Sequence, residues 1–157
     1  MDASHFDEAA FFRAIQRSGA RALLIGRRAL VVLGLPVLTA DYDFWLAVED
    51  IEPFNAALLP FDLHPTRAAA VARHHGRYAL ENDERVDVLV ARTVIARSGE
   101  HVAFDDVWAR RRVVELASGV SVHLPSLDDL ILTKRFALRP KDLEDIRLLE
   151  ILRGDPS

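Results

Sequence analysis

The sequence predicts an α+β protein, with a mixed central sheet flanked by helices and two helices at the C-terminal end. Apolar residues recur with helical spacing near both ends of the chain, and the segments between them alternate and are joined by short polar turns. Half of the 157 residues are apolar and 28% are charged, which is typical of a folded domain with a core. Because no repeat or low-complexity stretch divides the chain, we expect one domain over residues 1–157.

The N-terminal elements follow from apolar spacing and from glycine. Residues 5–17 have the spacing of an amphipathic helix. Residues 20–25 form a short apolar run before Gly26 and predict a buried strand that enters a turn. Residues 27–34 are ambiguous because their valine pair would also suit a strand, and we interpret them as a helix.

Residues 40–48 alternate as a strand does, and residues 53–59 then predict a short helix. The apolar face of this strand consists of Tyr42, Phe44, Leu46 and Val48. Its other face carries Asp41, Asp43, Trp45 and Ala47. Trp45 has two interpretations, stacking on a base or packing under the sheet, and the second is the commoner role of a strand aromatic.

Two hairpins are expected in the second half of the chain. The first joins Arg77–Glu81 to residues 85–91 through a polar turn. The second joins Arg112–Ala117 to Val120–Leu124 through a turn that contains glycine.

Ser126 and Pro140 begin the two predicted C-terminal helices, as an N-cap and as a first-turn proline. The first of these helices has an apolar stripe made of Leu127, Ile131 and Leu138. Lys134 lies in the middle of this stripe. Its ammonium group therefore either extends to the edge of the core or points into a cleft where it meets an anion.

The charge balance and the absence of cysteine exclude several classes of protein. With 24 acidic and 20 basic residues, the net charge of −4 disfavours a general nucleic-acid coat protein. Without cysteine there is no disulfide framework, thiolate zinc site or cysteine nucleophile. The acidic start and the lack of a long apolar run lead us to expect a cytoplasmic protein.

Asp41 and Asp43 are two residues apart in the predicted strand, so both side chains leave the same face. Carboxylate pairs of this kind suit a magnesium ion, although a solvated strand face is the alternative interpretation. Asp87 interrupts the apolar run of residues 86–90 and needs a partner there, which is either a metal ion or one of the arginines Arg85 and Arg77. Three carboxylates that converge would raise the pKa of at least one of them.

These residues together resemble the nucleotidyltransferases of the polymerase β type in their minimal bacterial form, especially the toxin-like branch related to type IV abortive-infection toxins. The resemblance rests on Ile25-Gly26-Arg27, then thirteen residues, then Asp41-Tyr42-Asp43-Phe44, and on Asp87 in a later apolar strand. Thr39 before the first aspartate and the two helical segments 126–134 and 139–146 also match this branch. The resemblance covers most of the chain.

The resemblance implies transfer of NMP from an NTP to a hydroxyl acceptor with release of pyrophosphate. It implies that Asp41 and Asp43 hold two magnesium ions, and that Asp87 completes the site and orients or deprotonates the acceptor hydroxyl. The acceptor would be an RNA end, a protein or a small molecule. A cognate toxin or antitoxin protein is a further implied partner.

Gly26, Arg27, Thr39 and Lys134 are the implied nucleotide-binding residues, and Lys141 with Asp142 would brace the last helix against the site. Arg27 departs from the family pattern, which has glycine or serine at this position. A guanidinium group would either bind phosphate there or fill the nucleotide cleft. The alternative function is therefore a degenerate, non-catalytic domain of the same fold that binds a partner protein or a nucleotide.

Overall fold

The computed structural model describes residues 6–135 and 139–154. The helices are α1 (Glu8–Ser18), α2 (Gly26–Val32), α3 (Ile51–Leu58), α4 (Ala69–His75), α5 (Phe104–Ala109), α6 (Leu127–Lys134) and α7 (Pro140–Arg153). The strands are β1 (Ala22–Ile25), β2 (Tyr42–Leu46), β3 (His64–Pro65), β4 (Arg77–Glu81), β5 (Arg85–Val90), β6 (Thr93–Ile95), β7 (His101–Ala103), β8 (Arg112–Ala117) and β9 (Val120–Leu124). Two predicted features, the start of the first helix at His5 and the stripe residue Leu138, lie outside the described residues.

The central sheet has the strand order β1-β2-β5-β4-β3. Strands β2 and β5 run parallel, and the other neighbouring pairs are antiparallel, so the sheet is mixed as predicted. The long connection through α3 and α4 allows β5 to lie parallel to β2. The β6-β7 and β8-β9 hairpins form separate two-stranded sheets.

The core lies on both faces of the central sheet because β2 and β5 carry apolar side chains on each face. On one face, Phe44 packs among the aromatic residues of α1 and against Phe54 of α3. On the other face, the ring of Trp45 lies 5.5 Å from that of Phe104, and its indole Nε1 donates a hydrogen bond to the Ala91 carbonyl at 2.9 Å. Trp45 is completely buried, so it packs under the sheet and presents no ring for a base.

The longer predicted elements are confirmed, including both hairpins and the C-terminal helices. Ser126 caps α6 by accepting a hydrogen bond from the Asp129 N–H at 3.2 Å, and Gly154 ends α7 at a φ of 98°. The predicted strand over residues 40–48 is too long, because residues 48–50 form a turn of 3₁₀-helix. The structure adds α4, α5, β3 and the β6-β7 hairpin, which are too short for the apolar period to show.

No helix among the described residues is long and apolar enough to cross a membrane.

Candidate active site

Asp43 and Asp87 face each other across two neighbouring strands. The parallel register of β2 and β5 pairs Asp43 with Asp87 and Trp45 with Leu89. Because side chains alternate along a strand, both carboxylates leave the same face of the sheet as Trp45 and Leu89. The structure thus brings together two of the three aspartates singled out in the sequence.

Asp41 lies just outside β2, so its predicted position inside the strand is wrong. It is exposed in the preceding loop, where its N–H donates to the Thr39 hydroxyl at 3.1 Å. The Arg28 guanidinium group donates to the carbonyls of Thr39 and Asp41 at 3.1 and 3.3 Å. These hydrogen bonds hold the loop at the entrance to β2, and they give Thr39 a structural role in this loop.

Gly26 is in direct contact with Asp43. Strand β1 pairs Ile25 with Asp43, which brings the following residue against the carboxylate. A β-carbon on Gly26 would lie only 2.5 Å from Oδ2 of Asp43, and the φ of Gly26 is +70°. Both observations require glycine at this position, and the space that it leaves is occupied by the carboxylate of Asp43.

The charge around Asp43 is poorly compensated. Burial, and then the neighbouring carboxylates of Asp87 and Asp41, raise the pKa of Asp43 to about 6, while Lys134 and Lys141 oppose the rise. The expectation that one aspartate of the set has a raised pKa is confirmed. The carboxylate has no hydrogen bond or ion pair with any other described residue.

Asp87 forms an ion pair with Arg85, one of its two possible arginine partners in the sequence. Its Oδ1 accepts a hydrogen bond from Nε of Arg85 at 2.9 Å, and Arg85 also bonds Glu81 at 2.9 Å. The Asp87 side chain remains 36% exposed, so its second oxygen stays accessible. Arg77, the other candidate, lines the space beside the carboxylates.

Lys134 does not extend to the surface. It is 6% exposed, and its Nζ donates to Oδ2 of Asp145 at 2.8 Å. Asp145 is fully buried and also binds Arg27, whose Nη2 lies 3.1 Å from Oδ1. Two cations therefore share one buried carboxylate and tie α2 and α6 to α7.

Asp145 lies in the segment 139–146, but the sequence analysis assigned no role to it. The signal was present, because Asp142 and Asp145 stand at helical spacing with Ile146 and Leu149 on the buried face of α7. A carboxylate on an apolar stripe needs a cation, by the same argument that singled out Lys134.

Arg27 and Lys141 are two further residues to which the resemblance gave a role. The Arg27 guanidinium group binds Asp145 and the Leu38 carbonyl, the latter at 3.3 Å, and does not line the cavity beside Asp43. Lys141 is exposed, and Asp142 accepts hydrogen bonds from the N–H and Nε of Arg139, at 2.8 and 3.1 Å. Nucleotide binding by Arg27 and Thr39 stays a prediction.

A cavity of about 130 Å³ opens beside Asp43. Its walls include Gly26, Lys134 and Asp142, whose buried Oδ1 has no hydrogen-bond partner among the described residues. A wider groove of about 460 Å³ lies beside Asp87, and Arg77 borders both spaces. The site is thus a small cavity with a cation and carboxylates, and it shares Arg77 with a larger groove.

The carboxylates suit a divalent cation in their chemistry. Oxygen ligands are those that magnesium prefers, and the raised pKa of Asp43 indicates negative charge that a cation would neutralise. Within residues 6–135 and 139–154, no three His, Cys, Asp or Glu side chains are close enough together to form a ligand set. Metal binding by Asp41, Asp43 and Asp87 stays a prediction.

Several solved structures resemble this chain. ANT(2'')-Ia in complex with adenylyl-2''-tobramycin matches with a TM-score of 0.64 and 16% identity over 92% of this chain and 86% of that chain. The solution structure of the antibiotic-resistance factor ANT(2'')-Ia matches with a TM-score of 0.63 and 14% identity, over 92% of this chain and 81% of that one. The lincosamide adenylyltransferase LnuA, bound to lincomycin, matches with a TM-score of 0.62 and 13% identity over 94% and 98% of the two chains.

No protein-family model matches the sequence, and no curated protein matches it significantly. At the identities of the solved structures, the likeness establishes a shared fold.

Proposed function

We propose that this chain, which has the α+β fold of the polymerase β-type nucleotidyltransferases, transfers NMP from an NTP to a hydroxyl acceptor in a metal-dependent reaction. The observation that carries the proposal is the pairing of Asp43 with Asp87 on one face, beside a cavity that contains Lys134. A fold alone does not assign a reaction, so the argument rests on these side chains.

Asp43 and Asp87 would hold the metal ions, with Asp41 contributing from the loop before β2. Magnesium bound there would neutralise charge on the phosphates and on the attacking and leaving oxygens. The uncompensated charge of Asp43 supports this assignment, because a purely structural carboxylate is normally paired or solvated.

Lys134 would bind a phosphate oxygen without leaving Asp145. An ammonium group has three donors, and the structure assigns one of them to Asp145. The cavity beside Asp43 includes Lys134 in its wall, so a further donor has an acceptor within reach when phosphate enters. Asp145 then acts as a positioning residue, because it fixes the direction of the lysine side chain.

Asp87 would accept the proton of the acceptor hydroxyl. Oδ1 is engaged by Arg85, and the partial exposure of the side chain leaves Oδ2 for a second hydrogen bond. The hydroxyl oxygen then attacks the α-phosphorus, and pyrophosphate leaves.

A degenerate, non-catalytic domain is the second candidate, and one observation favours it. Arg85 already pairs with Asp87, and Asp145 already pairs with both Lys134 and Arg27, so these charged groups have partners without any bound nucleotide. Replacing Arg27 separates the two functions. In the enzyme, Arg27 would exchange Asp145 for a phosphate oxygen, so Arg27→Ser weakens NTP binding. In the degenerate domain, Arg27 would fill the nucleotide cleft, so the same substitution restores NTP binding.

Titration of a fluorescent NTP analogue into wild type and Arg27→Ser measures this difference. Arg17→Ser, at the exposed end of α1, is the control for loss of an arginine. Unchanged affinity in Arg27→Ser contradicts a role of this residue in either version.

The toxin-like branch, with its cognate toxin or antitoxin partner, is part of the proposal. It is supported by the sequence segments 126–134 and 139–146, whose resemblance to that branch is stated above and which lie largely in α6 and α7. The complexes of ANT(2'')-Ia with adenylyl-2''-tobramycin and of LnuA with lincomycin support a small molecule as one class of acceptor.

Incubation of the protein with α-labelled NTPs and a cell extract tests the reaction, because transfer of NMP labels the acceptor. Wild type should label a component only in the presence of magnesium, and Asp43→Asn should reduce labelling at least 100-fold. Asp106→Asn replaces an exposed aspartate of α5 and should label as wild type does. Equal labelling by Asp43→Asn and wild type would overturn the proposed site.

A further inference from the structure

The groove beside Asp87 is on the same face of the sheet as the two aspartates. The antiparallel register of β4 and β5 pairs Ala79 with Asp87 and Arg77 with Leu89, so Arg77 points to that face. The Thr66 hydroxyl accepts a hydrogen bond from the Ala79 N–H at 3.1 Å, which places the segment after β3 along the far side of the groove. The groove therefore runs from Asp87 across β4 to residues 66 and 67.

The groove is lined by Arg67, Arg77 and Arg85 and by the carboxylates of Glu81 and Asp87, so its cations outnumber its anions by three to two. Arg67 and Arg77 are exposed, and within the described residues neither forms an ion pair. Nη1 of Arg67 donates to the Arg77 carbonyl at 2.7 Å, which holds its guanidinium group over the groove. Arg85, by contrast, is neutralised by Glu81 and Asp87.

Other arginines of the chain, whose net charge is −4, do have carboxylate partners. Arg21, Arg27 and Arg110 are paired in this way. Arg67 and Arg77 carry like charges in one groove, and neither has a carboxylate partner among the described residues. Such an arrangement becomes favourable when an anion binds, because a guanidinium group forms bidentate, charge-assisted hydrogen bonds with phosphate.

We propose that this groove is the acceptor site and that it takes an acceptor with a phosphate group close to its reactive hydroxyl. The inference rests on the proposed nucleotidyl transfer, whose substrate class it specifies. Arg67 and Arg77 bind the phosphate of the acceptor, and the hydroxyl lies at Asp87. Arg77 borders the small cavity too, so it stands between the acceptor and the NTP.

The reaction balances without a further reagent. The acceptor hydroxyl oxygen forms a bond with the α-phosphorus of the NTP, and the bond between the α-phosphorus and the bridging oxygen breaks. The bridging oxygen leaves with its electron pair as part of pyrophosphate. The proton of the hydroxyl passes to Asp87 and from there to solvent.

Direct binding tests the acceptor site independently of turnover. The probes are a fluorescent oligoribonucleotide with a free 3′ hydroxyl, ribose 5-phosphate, and their phosphate-free counterparts adenosine and ribose. A polycationic amino sugar, whose charge is opposite to that of phosphate, is the control. Wild type should bind a phosphate-bearing probe in preference to its phosphate-free counterpart, and binding should weaken as salt increases.

Arg67→Gln should weaken that binding about tenfold, since one charge-assisted hydrogen-bonding group is lost. Arg67→Lys, which retains the charge, should recover part of it. Arg112→Gln removes an exposed arginine on β8 and should bind as wild type does. The affinity of Arg67→Gln for an NTP analogue should stay unchanged, because Arg67 lines only the wider groove.

The outcomes separate this inference from the proposed function. Binding of the oligoribonucleotide alone identifies a polynucleotide end as the acceptor, and binding of ribose 5-phosphate alone identifies a small phosphorylated sugar. Preference for the amino sugar, or equal weakening by Arg67→Gln and Arg112→Gln, overturns the inference even if NTP is bound and transferred. Failure of wild type to bind or transfer NTP overturns the proposed function itself.

Discussion

Asp43 and Asp145 are both carboxylates in apolar surroundings, but their charges are compensated differently. Asp145 is completely buried and has Lys134 at 2.8 Å and Arg27 at 3.1 Å. Asp43 is less buried, has no such partner among the described residues, and faces Asp87. Burial alone would rank Asp145 as the more unusual group. Compensation of charge, and not depth, distinguishes the residue that braces the structure from the residue that is available for chemistry.

The largest expected effect concerns the ion pairs of Asp145 with Lys134 and Arg27. Asp145→Asn leaves Lys134 and Arg27 without their shared counter-charge, and breaking a buried ion pair in this way should lower the free energy of unfolding by about 3 to 5 kcal/mol. Urea denaturation at pH 7 measures the change. Glu144→Gln, an exposed neighbour on α7, should stay within about 0.5 kcal/mol of wild type. Asp145→Asn as stable as Glu144→Gln would contradict the comparison.

Replacing Asp43 should change the free energy of unfolding in the opposite direction. Its folded pKa of about 6 lies above the ordinary value of 3.8, so the folded state binds this proton more tightly than the unfolded state does. The contribution of Asp43 to stability is complete below pH 3.8 and is lost as pH rises through about 6.

Asp43→Asn should therefore stabilise the protein at pH 8, by an amount on the order of 1 to 3 kcal/mol. The difference from wild type should shrink as the pH is lowered to 4. Urea denaturation at both values measures it, with Asp106→Asn as the exposed control. A variant that is less stable than wild type at pH 8 would show that Asp43 has a compensating partner.

The smallest expected difference in stability is between two glycine variants, and it tests the contact between Gly26 and Asp43. Gly26→Ala introduces a β-carbon 2.5 Å from Oδ2 of Asp43, at a φ of +70°. Gly34→Ala is a matched control, because φ is +86° there and no atom lies within 4 Å of the added carbon. Backbone strain should cost each variant about 1 to 2 kcal/mol, so the clash should make Gly26→Ala the less stable. Equal loss in the two variants would mean that Asp43 moves aside without cost.

The sequence predicts the part of the site that depends on strand alternation. Asp43 and Asp87 interrupt apolar runs, and the pairing of their strands follows once both strands exist. Asp41 was placed one residue too far into the strand, since the end of a strand depends on loop contacts such as those of Arg28.

The partners of the charged groups were beyond sequence reasoning. Arg27 and Asp145 are 118 residues apart, and only the packing of α2 against α7 brings them together. Arg85 and Arg77 were equal candidates for Asp87 in the sequence. The structure pairs Arg85 with Asp87 and leaves Arg77 beside the cavity, because their positions along the strands differ.

Thermal unfolding with and without magnesium is the most direct test of the claim that Asp43 lies in a cation site. An ion that binds only the folded state raises the melting temperature, by about 4 °C for a protein of this size when the ion is present at ten times its dissociation constant. Magnesium should produce this rise in wild type and in Asp106→Asn, and none in the Asp41→Asn, Asp43→Asn double variant. Equal responses of wild type and the double variant would contradict the central claim.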